Sequence, residues 1–150
     1  MTPDLVTSLI YVSRKTLPGP EGAADVQNIL QLSRERNKTL QVTGALFSAA
    51  KTFAQCIEGP ASAIGHLMES IARDARHHDV KVVSVKDEVP RNFANWTMAY
   101  CGDEYYIDAH IRRLFDTHPP GLFAERVEQL RALMREFGMK IAQGSSSAAP

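Results

Sequence analysis

Three side chains in this 150-residue sequence carry amide or phenol groups where the apolar pattern predicts an inward face: Tyr11, Asn37 and Gln55. In Phe53-Ala-Gln55-Cys-Ile57 the two-residue period of a strand puts Gln55 in one row with Phe53 and Ile57. Tyr11 shares a row with Leu9, and Asn37 ends the helical stripe Val26, Ile29, Leu30, Ser33. A buried polar group costs free energy unless a partner satisfies it, so these exceptions are informative. Carboxamides and phenols both donate and accept hydrogen bonds, and together they suit a polar heteroaromatic ligand with a urea-like edge. Each also has a purely structural explanation. A strand Gln often faces solvent, an Asn at a helix end is often a cap, and a strand Tyr is often core with its hydroxyl at the rim. Trp96, Met98 and Tyr100 share one face of a later strand, which core packing alone explains. Asp74-Ala-Arg76-His77 is expected to close the second helix, where cations favour the C-terminus.

Patterns for other chemistries do not occur. The sequence has no GxSxG, no GxGxxG and no Walker loop, and its Gly-rich stretch Leu17-Pro-Gly-Pro-Glu-Gly22 lacks a following Lys-Ser/Thr. No nucleophile–base pair is evident, so an enzyme is not expected. A metal site is not expected either: there is no HExxH and no CxxC, and in His77-His78-Asp79 adjacent side chains diverge.

Charge and composition narrow the remaining classes. Lys+Arg and Asp+Glu number 17 each, with 11 basic and 10 acidic residues in 1–100 and 6 and 7 in 101–150. Neither half offers the basic stripe that nucleic acid or an acidic membrane surface requires. At 44% hydrophobic and 23% charged residues, the chain has the composition of one soluble globular domain. No apolar run approaches the ~18 residues of a membrane span, and Met1-Thr-Pro-Asp4 does not begin a secretory signal. A cytoplasmic protein is expected, with Cys56 and Cys101 as reduced, partly buried thiols.

The elements that must position these groups follow from periodicity. Leu5 to Ser13 is apolar on both alternating sets, as in a strand covered on both faces. Residues 24–37 form a first helix, and Val42 to Phe47 and Thr52 to Ile57 a hairpin. Ile64, Leu67, Met68 and Ile71 line a second helix after Gly59-Pro60. Val80 to Val85 and Trp96 to Tyr100 are the last strands, joined by a polar connection over 86–95. The order βαββαββ predicts an α+β, ferredoxin-like fold: a five-stranded mixed sheet with two helices on one face. Helical spacing over 104–116 and 122–141 predicts two C-terminal helices that cover the other face. The expected division is a domain over 1–102, a helical extension over 103–141 and a disordered tail over 142–150.

Five segments, in order, resemble the BLUF family of blue-light sensors that use FAD. They are Leu9-Ile-Tyr11-Val-Ser13; Ser33-Arg-Glu-Arg-Asn37 with Val42-Thr-Gly-Ala-Leu46; Phe53-Ala-Gln55-Cys-Ile-Glu58-Gly59; Asp74-Ala-Arg76-His77; and Arg91-Asn-Phe93-Ala-Asn-Trp96-Thr-Met98. The resemblance implies a non-covalent flavin, FAD with FMN or riboflavin as alternatives, lying between the two helices. It implies that Asn37 bonds the pyrimidine edge, that Arg76 and His77 hold the same end or the adjoining chain, and that Asp74 fixes Arg76. Ile29 and Ile71 would flank the ring, with Phe53 beside it. Tyr11 and Gln55 would form the photoswitch, with Ser13, Trp96 and Met98 as neighbours. With no effector domain expected after the sensor, signalling to a protein effector in trans and a homo-oligomer are expected, and the even charge leaves no nucleic acid and no membrane as partner. Lys51 departs from the family, where glycine is common at that hairpin position; residues near Asn37 vary among members, and Arg36 there would alter how tightly the adenine side of FAD is held, which leaves room for FMN or riboflavin. Two other readings use the same fold: a flavin-free adaptor for protein binding, which the Tyr11/Gln55 pair argues against, and an enzyme acting on a small molecule in the same pocket.

Overall fold

The structure, a computed structural model, describes residues 4–94, 99–102, 105–116 and 119–143. Strand β1, Leu5–Lys15, is buried along nearly its whole length. A short 3-10 turn leads into helix α1, Ala23–Leu40, which runs one turn beyond the expected end at Asn37. Gln41 stops it in a left-handed conformation (φ 58°), donating its N–H to the Asn37 carbonyl. The hairpin consists of β2, Thr43–Ser48, and β3, Thr52–Gly59. Lys51 turns it without a positive φ, while its own N–H bonds Asp108 and its carbonyl receives the Lys15 N–H.

Helix α2 spans Ala61–Ala72 and ends before Asp74. The expectation that Asp74-Ala-Arg76-His77 closes this helix is therefore corrected: 74–76 form the following turn, and His77 opens strand β4, His77–Pro90. That strand is more than twice as long as the Val80–Val85 run. Asp79 (φ 53°) and Glu88 (φ 54°) adopt left-handed conformations where the β1–β4 register shifts. Such residues mark bulges, which absorb an extra residue without ending the pairing. The expected polar connection over 86–95 is thus corrected: its first part, to Pro90, belongs to the strand. Of the expected strand Trp96 to Tyr100, residues 96–98 lie outside the described residues, Trp96 and Met98 among them; β5 is Ala99–Gly102.

The sheet order is β4-β1-β3-β2-β5. The first four strands pair antiparallel, and β5 adds to the β2 edge in parallel. The α+β class and the strand–helix order agree with the periodicity. Helices α3, Tyr105–Arg113, and α4, Pro120–Gln143, follow.

Strand alternation divides the core in two. Leu9, Tyr11, Leu46, Phe53 and Ile57 pack against Val26 and Leu30 of α1 and Ile64 and Leu67 of α2. Ile10, Val12, Ala45, Phe47, Ala54 and Cys56 pack on the opposite face against Ile107, Ile111 and Leu114, and against Val127, Leu130 and Met134 of α4. The C-terminal helices thus cover the second face.

This second face has a polar seam. Arg131 of α4 is 7% exposed and donates to Ser84 Oγ (2.5 Å), Ser8 Oγ (3.4 Å) and Glu128 (3.3 Å). Ser8 in turn meets Cys56 Sγ at 3.6 Å. Burial pushes the Cys56 thiol up to about 12, so it stays protonated and unreactive. Asp108 of α3 accepts from Thr52 Oγ1 (2.9 Å), which ties that helix to the hairpin.

Candidate functional site

A cleft of about 590 Å³, counting its open mouth, lies between α1 and α2 above the sheet. Its floor comes from three adjacent strands. Tyr11 and Gln55 are direct partners across β1 and β3, and Leu46 faces Gln55 across β2 and β3. Phe53, two residues from Gln55, shares its face. Close strand packing depends on Gly44: a Cβ there would stand 2.0 Å from the Cys56 carbonyl oxygen. The walls are Ile29, Leu32, Ser33 and Arg36 of α1, with Ser70 and Ile71 of α2 opposite. Asp74, Arg76 and His77 close one end.

The polar groups on the floor are joined. Tyr11 Oη donates to Gln55 Oε1 at 2.5 Å, and both residues are 4% exposed. Burial first, then the Asp74 charge, pushes the Tyr11 phenol well above its ordinary value, against the opposing pull of Arg36. The hydroxyl therefore holds its proton at any physiological pH, and the amide oxygen is the acceptor. A carboxamide whose oxygen is engaged this way presents N–H donors at its other end.

His77 stands beside this pair, edge-on to Tyr11 with ring centroids 6.0 Å apart and to Phe53 at 6.3 Å. Its Nε2 lies 2.6 Å from the Ile71 carbonyl, which only accepts, so Nε2 carries the hydrogen. In the neutral ring Nδ1 then accepts from Ser13 Oγ at 2.8 Å. Both ring nitrogens are engaged within the protein. His77 lines the cleft and meets it as a ring. Ser13 is fully buried behind it and does not line the cleft.

Asp74 and Arg76 form a fork. Arg76 Nε lies 2.9 and 3.1 Å from the two carboxylate oxygens, and Nη2 is 2.5 Å from Oδ2. The hydrogen bond from Arg76 holds the Asp74 carboxyl below its ordinary range, outweighing burial, and the same bond raises Arg76. A depressed carboxyl pKa adds stability above the unfolded value near 4, and this stability is lost as the pH falls through the lower folded value. Asp74→Asn is therefore expected to be less stable than the parent at pH 7, by about 1 kcal/mol for a partly exposed pair, with the gap closing as the pH falls through the lowered folded value. Urea unfolding over a descending pH series checks this; a deficit that does not narrow removes the ion pair as the cause.

Helix geometry splits the expected α1 stripe in two. Val26, Leu30, Ser33 and Asn37 are the buried residues, facing the sheet. Ile29, Leu32, Ser33 and Arg36 turn toward α2 and line the cleft. Asn37 is 1% exposed but does not line this cleft, so the end of α1 contributes Arg36 in its place. Arg36 Nε is shielded from solvent and has no hydrogen-bond partner among the described residues. The expected site residues Tyr11, Gln55, Phe53, Ile29, Ile71, Asp74, Arg76 and His77 converge; Leu32, Leu46 and Ser70 join them without having been singled out. Their signal was an ordinary apolar or small residue at a cleft-facing register, which sequence does not distinguish from core.

This arrangement of an apolar slot with amide, phenol and guanidinium groups at its base meets an independent match. Residues 6–99 fit the family described as BLUF, sensors of blue-light using FAD. The chain belongs to the BLUF family. Among curated relatives, photoactivated adenylate cyclase subunit beta of Euglena longa is 33% identical over 100 residues, 66% of this chain and 11% of that protein. The blue light- and temperature-regulated antirepressor BluF of Escherichia coli (strain K12) is 28% identical over 76 residues, 51% of this chain and 18% of its own length. The chain thus spans about a tenth of the cyclase subunits that it matches. The dark-state structure of the BLUF protein BlrB superposes with TM-score 0.68 at 30% identity, covering 93% of this chain and 99% of that one. BlsA in its photo-activated state gives TM-score 0.72 at 20% identity over 87% and 94% of the two chains, a likeness of fold. The BLUF domain is a flavin-binding blue-light sensor, and no helix among the described residues is long and apolar enough to cross a membrane.

Proposed function

We propose that this BLUF protein binds FAD non-covalently in the cleft and that Tyr11 and Gln55 are its photoswitch. The carrying observation is the hydrogen bond from Tyr11 Oη to Gln55 Oε1 on the cleft floor. The residues present suit a flavin: Ile29, Leu32 and Ile71 offer apolar walls to a planar ring, and Gln55, Arg36 and Arg76 offer donors to its carbonyl edge. Bound flavin supplies light absorption and, once excited, a strong electron acceptor. Tyr11 is the electron donor on the floor of the cleft. Its phenol, made strongly acidic by that loss, passes its proton along the existing bond to Gln55. As the electron and proton return to Tyr11, the amide is left rotated or tautomerised, its donor and acceptor ends exchanged with little change of shape. His77, Phe53 and the Asp74–Arg76 fork hold the frame in which this exchange takes place.

FMN or riboflavin would fill the ring site equally, since the groups named above address the ring. The output is proposed to be a protein effector, supported by relatives named as a cyclase subunit and an antirepressor. Trp96 and Met98, just before β5, are proposed as the moving neighbours that carry the change toward α3 and α4. The domain over 1–102 and the helical extension over 103–141 would then be sensor and relay.

Purified protein tests the reading. It should be yellow, with a flavin band that shifts slightly to the red under blue light and returns in darkness. Tyr11→Phe should retain flavin within about an order of magnitude in affinity, because only one neutral hydrogen bond is removed, and should lose the reversible shift. Colourless protein that gains no flavin on reconstitution would overturn the proposal.

A further inference from the structure

Helix α4 buries Val127, Leu130 and Met134 against the sheet, and the remaining residue of that helical stripe is a cation, Arg131, buried with them. Its guanidinium is loosely held for so enclosed a charge. Nη2 lies 2.5 Å from Ser84 Oγ, but Nη1 reaches Ser8 Oγ only at 3.4 Å and Nε reaches the two Glu128 oxygens at 3.3 Å each. Glu128 is half exposed and also receives Lys86 Nζ at 2.9 Å, so this carboxylate is hydrated and shared. Taking a guanidinium out of water is repaid only by close, fully paired geometry, and an apolar residue of similar volume often holds such a site as well or better. At a position flanked by Val127, Leu130 and Met134, packing alone would call for that apolar residue.

We propose that Arg131 is a releasable latch: it seats α4 on the sheet in one register through Ser8 and Ser84, yet holds the helix more weakly than an apolar side chain would, so that α4 lifts as a unit. Ser8 belongs to β1 and Ser84 to β4, so lifting frees two strands at once and returns both hydroxyls and the guanidinium to water. The face uncovered is apolar, with Ile10, Val12, Phe47 and Cys56 now sealed beneath the helices. A tether remains at the start of α4. Lys81 of β4 donates to the Leu114 carbonyl at 2.8 Å and stands 4.9 Å over the Phe123 ring, which places the hinge in the first turn of the helix. The latch lies on the reverse of β1 and β3, whose other face forms the cleft floor, so a detachable cover stands one sheet's thickness from Tyr11 and Gln55. The lifting itself does not depend on what the cleft holds.

Native-state hydrogen exchange of the full-length protein in darkness, read at the amides of residues 127–134 and of β1, tests the latch from both sides. In the parent, the α4 amides should exchange faster than those of β1, because the helix opens without the sheet. Arg131→Met keeps the unbranched stem and removes the charge. Its α4 amides should exchange about tenfold more slowly than the parent's, as when a buried ion pair gives way to an apolar side chain, with a melting temperature higher by about 3 °C. Ser84→Ala keeps the charge and removes its one short acceptor, and its α4 amides should exchange about tenfold faster, with those of β1 unchanged. The opposite signs are the signature, since an ordinary structural ion pair would weaken α4 in both variants. Exchange in Arg131→Met that is no slower than the parent's would overturn the proposal. So would Ser84→Ala exchanging at the parent's rate, or parent α4 amides that open only together with β1. If Arg131→Met does not fold, the parent and Ser84→Ala still decide.

Discussion

Gln55→Leu is expected to give a folded, yellow protein whose flavin band no longer shifts under blue light. The leucine keeps the size of the side chain and removes both ends of the amide. Tyr11 Oη then loses its acceptor at 2.5 Å in a site where the residue is 4% exposed. Leaving a buried hydroxyl unsatisfied costs about 1–3 kcal/mol, which a domain of this size survives. The shift, by contrast, should vanish completely, because among the described residues no other group on the cleft floor combines a donor and an acceptor on one torsion beside Tyr11. Gln55→Glu separates the requirements: its carboxylate still accepts from Tyr11 but has no donor end while ionised. Difference spectra before and after illumination check both variants. A normal, reversible red shift in Gln55→Leu would remove this residue from the switch.

The second large effect lies at the far end of the same strand. Glu58 is fully buried, and its carboxylate accepts from the backbone N–H of Phe93 (2.6 Å) and Asn92 (2.8 Å) and from Thr43 Oγ1 (3.0 Å). Arg91 closes the knot, donating to the Glu58 and Gln41 carbonyls (3.1 Å each), to Thr43 and to Asp4. This knot fixes 91–93, the segment that leads from β4 toward β5. Glu58→Ala strands two backbone donors in the interior, one beside Phe93 at 1% exposure. The expected destabilisation is about 3–5 kcal/mol, or roughly 10 °C in melting temperature for a domain of this length. Glu58→Gln, which retains one acceptor oxygen, should lose less than half of that. Thermal melts give the totals, and hydrogen exchange at the Asn92 and Phe93 amides locates them. If those amides stay as protected in Glu58→Ala as in the parent, the carboxylate is not what holds the segment.

Glu58 also illustrates how far the sequence could be read. It stands in the family-like run Phe53 to Gly59, yet a Glu at a strand end resembles any solvated charge until the chain comes back from residue 91 to cover it. The Gln55 row was legible, because strand alternation is strict and a polar residue between Phe53 and Ile57 stands out whatever the partners are. The same regularity assigned the two faces of the sheet and called for helices on both. Where a local rule has one competing explanation, the sequence was less decisive. Asp79 and Glu88 fall outside the expected strand Val80 to Val85, since only the β1 partner reveals that the ladder continues across a bulge. Asp74 to His77 read as a helix end because the α2 stripe extrapolates through them.

What one-dimensional order determined is the set of elements and the inward-facing rows, since both follow from periods of two and 3.6 residues. Which inward residues face a cleft and which face solid core was decided by tertiary structure alone. Asn37 and Arg36 are neighbours in the chain, but a 100° step along α1 sends one beneath the helix and the other into the gap beside α2. His77 had to meet Ser13 and the Ile71 carbonyl before its ring nitrogens were engaged. Such pairings depend on the distance between strands and helices far apart in sequence, and no local period encodes that distance.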